Sequence, residues 1–342
     1  MEIIATTREL MRPNRMLLAL DESPQSFQRR CAQFGLLHST TEERMSYRSQ
    51  ILETPGLCDF VSGIIFHEET LEQEIHGQAV PKYCQDQNIL IGLKVDRGLA
   101  PYPGFNTEQY TVGIEDLDDR LKRWSRAGVH FTKWRSVFPV RVDEMNKTLL
   151  SPQVIWEKNI GDLARFAELS QKHGMVPIVE PEVLFEGEHL LENTRETMEH
   201  VLEKLFFTLK TSEILLPGLI LKTSMALPGK DGVEKASATL IGKTTATCLQ
   251  AFVPPTTGGI VFLSGGQSSE DAIIHLRSIV SHRPFPWPVT ASFSRAVQDP
   301  LLTYWTHLDQ SKQRLSPSEK VQFHDVLLTQ LQSIQDALSA HH

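Results

Sequence analysis

Four cysteines in 342 residues, Cys31, Cys58, Cys84 and Cys248, are too few and too scattered to frame a fold, and none forms a C-x-x-C pair. A chain this long needs no disulfides, so four reduced thiols in a cytosolic protein are expected. No run of 18 apolar residues occurs, which leaves nothing to span a membrane as a helix. The opening stretch, MEIIATTRELMRPNR, is too charged for the apolar region of a secretory signal, so the expected location is the cytoplasm. Positive charge is in deficit: 34 Lys and Arg against 42 Asp and Glu give a net charge of −8. That excludes the broad basic face nucleic-acid binding requires, although a small phosphorylated ligand needs only a few local cations. Neither G-x-G-x-x-G after the first strand nor G-x-x-x-x-G-K is present, so a dinucleotide fold and a P-loop are not indicated. The thirteen histidines contain no H-x-H and no H-E-x-x-H, so no metal is expected.

No low-complexity linker or sequence repeat interrupts the chain, and residues 1–342 are expected to form a single domain. One type of segment does recur, a short apolar β-rich run that ends in a polar residue. In order these are MLLALDES (16–23), GIIFHE (63–68), ILIGLKVD (89–96), HFTKWRS (130–136), VPIVEPE (176–182), GLILKTS (218–224), GIVFLSGG (259–266) and PVTASFSR (288–295). Helical periodicity fills several of the gaps, as in TEERMSYRSQIL, VEKASATLIGKTTATCLQAF and SSEDAIIHLRSIV. In the stretch from Ser151, Ser151 reads as the N-cap, Pro152 as the first helical residue and Gly174 as the stop. A final helix over about 316–338 sets Phe323, Leu327, Leu331, Ile334 and Leu338 on one face. Continuous apolar strands alternating with helices imply a parallel sheet covered on both sides. Eight such units imply a (β/α)8 TIM barrel, with its core over about 16–300 and an additional C-terminal helix.

Barrel active sites form at the carboxyl ends of the strands. Those ends carry Asp21, Lys94, Lys133 with Arg135, Glu180 with Glu182, Lys222, Ser264, and Ser292 with Arg295; the second strand ends less distinctly, on His67 and Glu68. Residues two apart on a strand share a face, so Lys133 and Arg135 point one way, as do Glu180 and Glu182. Singly, each has a plain structural reading. A Lys beyond a strand is usually a solvated loop charge, Asp21 could cap a helix, and Glu180 and Glu182 could pair with nearby Arg side chains. Their convergence on one mouth is what favours chemistry. A desolvated Lys near a second cation loses its proton and can attack a ketone to form a Schiff base. Adjacent carboxylates supply the proton transfers that follow. The FLSGG turn ahead of a helix offers backbone N–H groups to a phosphate, and Arg295 would complete the cradle.

These segments resemble class I fructose-1,6-bisphosphate aldolase. LLALDES is similar to the family's LAADES, GLKVDRG to GIKVDKG, FTKWR to FAKWR, SFSRAVQ to SYGRALQ and GLILKTSM to GTLLKPNM; VPIVEPEVL and FLSGGQS are nearly unchanged. The matches run in family order from about residue 16 to about 300. The resemblance implies Lys222 as the Schiff-base lysine, Glu180 as the general acid/base with Glu182 beside it, and Lys133 as the second active-site lysine. It implies Asp21 as the base that takes the C4 hydroxyl proton. Ser264, Gly265, Ser294 and Arg295 match the C1-phosphate site, with Ser294 where the family has Gly. Ser23, Ser26, Arg30 and Lys94 match residues around the open chain and the C6 phosphate, and Arg135 lies nearby. No metal or other cofactor is implied beyond the covalent adduct on lysine. The implied partners are phosphorylated sugars, and the family is often a homo-oligomer, tetramer or dimer. Fructose 1-phosphate or sedoheptulose 1,7-bisphosphate as substrate, or a non-catalytic aldolase-like scaffold, are the alternatives. Two departures stand out: Thr223 and Ser224 replace Pro-Asn, and the terminal tyrosine of the animal enzymes has no counterpart, Tyr304 being the last tyrosine. The final His341–His342 pair is given no role.

Overall fold

All eight apolar segments form strands in the computed structural model, which describes residues 2–36, 39–105, 107–308 and 315–340. The terminal His341–His342 pair lies outside the described residues. The strands are β1 (Met16–Leu20), β2 (Val61–Phe66), β3 (Leu90–Lys94), β4 (Phe131–Phe138), β5 (Val176–Val183), β6 (Ile220–Thr223), β7 (Gly259–Phe262) and β8 (Val289–Ala291). Every neighbouring pair is parallel and the order in the sheet is the order in the chain. The Ala19 N–H donates to the Phe293 carbonyl at 3.3 Å, which brings the eighth strand back to the first. The expected (β/α)8 barrel is therefore the fold.

Apart from single turns at Leu57–Phe60 and Glu68–Leu71, the α-helices are α1 (Glu2–Leu10), α2 (Pro24–Gln33), α3 (Thr41–Leu52), α4 (Val80–Asp86), α5 (Leu117–Arg126), α6 (Gln153–Lys172), α7 (Leu191–Thr211), α8 (Ala238–Phe252), α9 (Ser269–Val280), α10 (Arg295–Thr306) and α11 (Pro317–Ser339). Most local signals act where the sequence puts them. Gly174, at φ +76°, ends α6, and Ser316 caps α11 in a capping box with Glu319. All five residues of the C-terminal apolar stripe are buried. Two boundaries move. Pro152 rather than Ser151 occupies the N-cap of α6, because its ψ of 142° is extended while its carbonyl already accepts from the Ile155 N–H. The helix expected from Val233 begins only at Ala238, where the Ser237 hydroxyl accepts from the Leu240 N–H at 3.2 Å.

The barrel interior is packed, not hollow. Leu10 and Met11, at the end of α1, join Leu17, Ile65, Phe131, Val176, Ile178, Ile220 and Val261 in one buried cluster inside the strands. Gly92 makes this possible: a Cβ there would lie 2.1 Å from the Phe131 ring. The apolar plug fills the barrel up to the layer where the charged side chains begin.

Candidate active site

Strand alternation and register select which side chains enter the mouth. Ile178 is level with Lys133 on β4 and with Ile220 on β6. Two residues on, the same register sets Glu180 opposite Lys222, both on the inner face. Lys94 pairs with Lys133 across β3 and β4. Asp21 follows directly on β1. The floor beneath them is apolar, so all four central groups are desolvated: Asp21, Lys133, Glu180 and Lys222 are exposed by 7%, 4%, 3% and 3%.

These four form one charge cluster. Lys133 Nζ donates to Asp21 Oδ2 at 2.8 Å and lies 2.7 Å from Glu180 Oε2, the latter an ion pair without hydrogen-bond alignment. Lys222 Nζ lies 3.4 Å from Glu180 Oε1. One carboxylate thus stands between two amines, and the two amines have opposite fates. Burial works against the Lys133 charge, but Asp21 and Glu180 outweigh it and hold the ammonium far above its usual range. Burial pulls the Lys222 amine down, Lys133 adds to that, and the opposing pull of Glu180 and Asp21 does not reverse it. Burial would raise the Asp21 carboxyl, yet Lys133 and Lys222 hold it well below the carboxylate range.

Arg135 and Glu182 form a second, very short ion pair at the edge of this cluster. Burial opposes both charges, and each partner's field outweighs it: the guanidinium is pushed up and the carboxyl down. Glu182 is therefore turned to Arg135, beside Glu180 but not onto Lys222.

The turn after β7 brings together Ser264, Gly265 and Gly266, with φ of +57° and +86° at the two glycines. A Cβ on Gly266 would sit 3.4 Å from an Arg295 guanidinium nitrogen, so that side chain lies across the turn. Gln267 braces it, donating from Nε2 to the Ser264 carbonyl at 2.8 Å. Backbone N–H groups, a cation and a helix N-terminus are the kinds of group that receive an anion.

On the other side of the mouth the candidates carry structural duties. Ser23 caps α2, accepting from the Ser26 N–H at 3.3 Å and donating to Ser26 Oγ at 3.1 Å. Arg30 is buried between Asp299 and Glu22, at 2.5 and 2.8 Å. Lys94 donates to Asp96 Oδ1 at 2.5 Å. Its partner was legible by the same two-residue alternation that found Glu182. The Asp299 and Gln298 contacts were not, since they join β1 and α2 to α10 across most of the chain. Gln298 donates to the Ala19 carbonyl at 2.9 Å and to Ser294 Oγ at 3.0 Å. The departures also find places. Ser224 Oγ donates to the Val183 carbonyl at 2.9 Å, tying the end of β6 to that of β5. Tyr304 OH donates to Gln322 Oε1 at 2.8 Å, between α10 and α11 and away from the lysines. Among the described residues there is no group of three His, Cys, Asp or Glu arranged to hold a metal.

The family model for fructose-bisphosphate aldolase class-I matches residues 2–322. The chain is 39% identical over 305 residues to fructose-bisphosphate aldolase 3, chloroplastic, of Arabidopsis thaliana, covering 89% of this chain and 76% of that one. It is 38% identical over 306 residues to fructose-bisphosphate aldolase of Dictyostelium discoideum, covering 89% and 84%. The solved structure of fructose-bisphosphate aldolase from Plasmodium falciparum, in complex with TRAP and a small-molecule inhibitor, superimposes with a TM-score of 0.91 at 34% identity, over 98% of this chain and 94% of that one.

Proposed function

The chain belongs to the class-I fructose-bisphosphate aldolase family, and from that premise we propose that it reversibly cleaves fructose 1,6-bisphosphate to glyceraldehyde 3-phosphate and dihydroxyacetone phosphate through a Schiff base on Lys222. The observation that carries the assignment is the divergence of the two buried lysines: Lys133 is held charged and Lys222 is driven toward the free amine. Only the free amine has the lone pair that attacks a ketone.

The geometry supplies each later step with a group. Lys222 Nζ attacks C2, giving a carbinolamine. Glu180, 3.4 Å from that nitrogen, takes up the proton that Lys222 gives up on becoming the free amine and returns it to the departing hydroxyl, which leaves as water and yields the iminium. Asp21 Oδ1 forms no hydrogen bond among the described residues, since Lys133 takes Oδ2, and it is the oxygen to receive the C4 hydroxyl proton. As that proton leaves, the C3–C4 bond breaks, its electron pair moves into the iminium to give the enamine, and the aldehyde departs. Protonation of the enamine at C3 and hydrolysis then free dihydroxyacetone phosphate and Lys222. The turn at Ser264–Gly266 with Arg295 holds the C1 phosphate, and Ser23, Ser26, Lys94 and Arg135 border the C6 end. No metal takes part. The same reading gives a cytoplasmic glycolytic and gluconeogenic enzyme, one (β/α)8 domain over 1–342, and a homo-oligomer.

Sodium borohydride added with dihydroxyacetone phosphate should fix a reduced adduct, and peptide mapping should find it on Lys222. An adduct on another lysine, or none, would sink the assignment.

A further inference from the structure

Ser294 stands where the family has glycine, and its side chain is placed in an unusual way for a residue at the head of a helix. It occupies the N-cap position of α10, yet its hydroxyl caps no N–H of that helix. Its Oγ instead accepts from Gln298 Nε2 at 3.0 Å. Gln298 is buried, and its amide is fixed on two further sides: Nε2 also donates to the Ala19 carbonyl at 2.9 Å, and Oε1 accepts from Tyr47 OH at 3.4 Å. The amide orientation is thereby set, and a donor approaches Ser294 Oγ from the core side. The hydroxyl's own hydrogen has no acceptor among the described residues, and a hydroxyl that accepts on one side directs its hydrogen away from that side. Gln298 is buried beneath a part-exposed Ser294 and an exposed Arg295, so the side away from Gln298 is the open side that Arg295 also faces.

The surroundings call for an anion. Arg295 follows directly and its guanidinium lies across Gly266. Ser292, two residues before Ser294, shares the inner face of Thr290, which pairs with Val261 at the level of Lys222; it is 1% exposed, and its hydroxyl has no partner among the described residues. We propose that the Ser294 hydroxyl is an added donor to the phosphate held by Arg295 and the Ser264–Gly266 turn, making this end of the mouth more selective for a phosphate monoester than a glycine would. The proposal rests on the aldolase reading for which end of the sugar lies here. The anion-binding claim itself stands on the local geometry.

Inorganic phosphate is the probe, titrated by calorimetry at fixed ionic strength into the wild type, S294A, S294T and R295M. The affinity lost in R295M marks the site. Hydrogen bonds to a charged group are worth enough that S294A should weaken phosphate binding at this site by about tenfold, with S294T, which keeps the hydroxyl, within about twofold of wild type. Unchanged affinity in S294A overturns the proposal. So does an equal loss in S294A and S294T accompanied by a fall in melting temperature, because that marks Ser294 as only a stitch to Gln298. Borohydride trapping run in parallel separates the two readings. A phosphate effect without a Lys222 adduct refutes the aldolase chemistry and leaves this donor standing.

Discussion

Replacing Lys133 by Met tests the electrostatic argument at its centre. The side chain keeps its length and loses its charge. Two buried carboxylates, Asp21 and Glu180, then lose the cation that lies within 2.8 Å of both. Removing one partner of a buried ion pair costs about 3–5 kcal/mol, because the remaining charge stays desolvated and uncompensated. At about 2.1 cal/mol/K per residue, a chain of 342 residues unfolds with an entropy of about 0.7 kcal/mol per degree, so the melting temperature should fall by about 4–7 °C at neutral pH. The pH dependence has a definite sign. In the wild type Asp21 is depressed by Lys133, so its contribution to stability is present above the unfolded carboxylate pKa of about 3.9 and is lost as pH falls through the folded value. Lys133 is raised, so its own contribution is full below the unfolded value of about 10.4. The penalty in K133M should therefore be greatest from neutral to mildly alkaline pH and should shrink as pH falls, beginning above the unfolded carboxylate value, because burial without Lys133 raises the stranded Asp21 carboxyl and it takes up a proton. Lys222, left as the nearest cation to both carboxylates, should hold its proton to higher pH, moving the acid limb of borohydride trapping upward. Thermal unfolding followed by circular dichroism, repeated across pH, measures the first effect. A variant as stable as wild type, or a penalty that grows toward acid pH, would refute the reasoning.

Glu180→Gln keeps the shape of the group between the amines and removes its capacity to carry a proton. Loss of a positioned acid/base typically lowers turnover by about 10²- to 10⁴-fold, so kcat for fructose 1,6-bisphosphate cleavage should fall in that range with little change in KM. A decrease confined to KM would assign Glu180 to binding. Gly92→Ala puts a methyl 2.1 Å from the Phe131 ring and should destabilise by about 1–3 kcal/mol through overpacking. The double variant G92A/F131L should recover most of the loss in a thermal melt; no recovery would mean that the clash is elsewhere.

The barrel was legible because each strand announces itself locally. An apolar run such as Leu90–Leu93 or Ile220–Leu221 must be buried on both faces, and eight such runs separated by helices leave few other solutions. The strand-end residues were legible for the same reason, since alternation alone assigns Lys133 with Arg135 and Glu180 with Glu182 to shared faces. Boundaries were less so. Whether Ser151 or Pro152 caps α6 depends on one ψ angle, and the short ribbons at Leu99–Pro101 with Gln109–Thr111 and at Arg141–Val142 with Thr148–Leu149 carry no periodic signal. Least legible were contacts between distant segments. Arg30 gains Asp299 as a partner from the far end of the chain, and Gln298, which also holds Ser294, reaches back to the Ala19 carbonyl.

The division of labour between Lys133 and Lys222 was in the same class. Both lysines lie on buried strands and are themselves buried, and apart from the family resemblance nothing in the local pattern says which one loses its proton. The difference comes from how many carboxylate oxygens the barrel brings to each. Lys133, on β4, has Asp21 across the lumen at 2.8 Å and Glu180 on the adjacent strand at 2.7 Å. Lys222, on β6, has a single oxygen at 3.4 Å and a neighbouring ammonium ion that repels its own charge. Two carboxylates at contact distance outweigh desolvation and one more distant carboxylate does not, so the same side chain is a fixed cation at one position and a nucleophile at the other. Exchanging the roles would require moving Asp21 to the β6 side. A second carboxylate placed near Lys222 at that level should therefore abolish trapping even though every residue of the original cluster is still present.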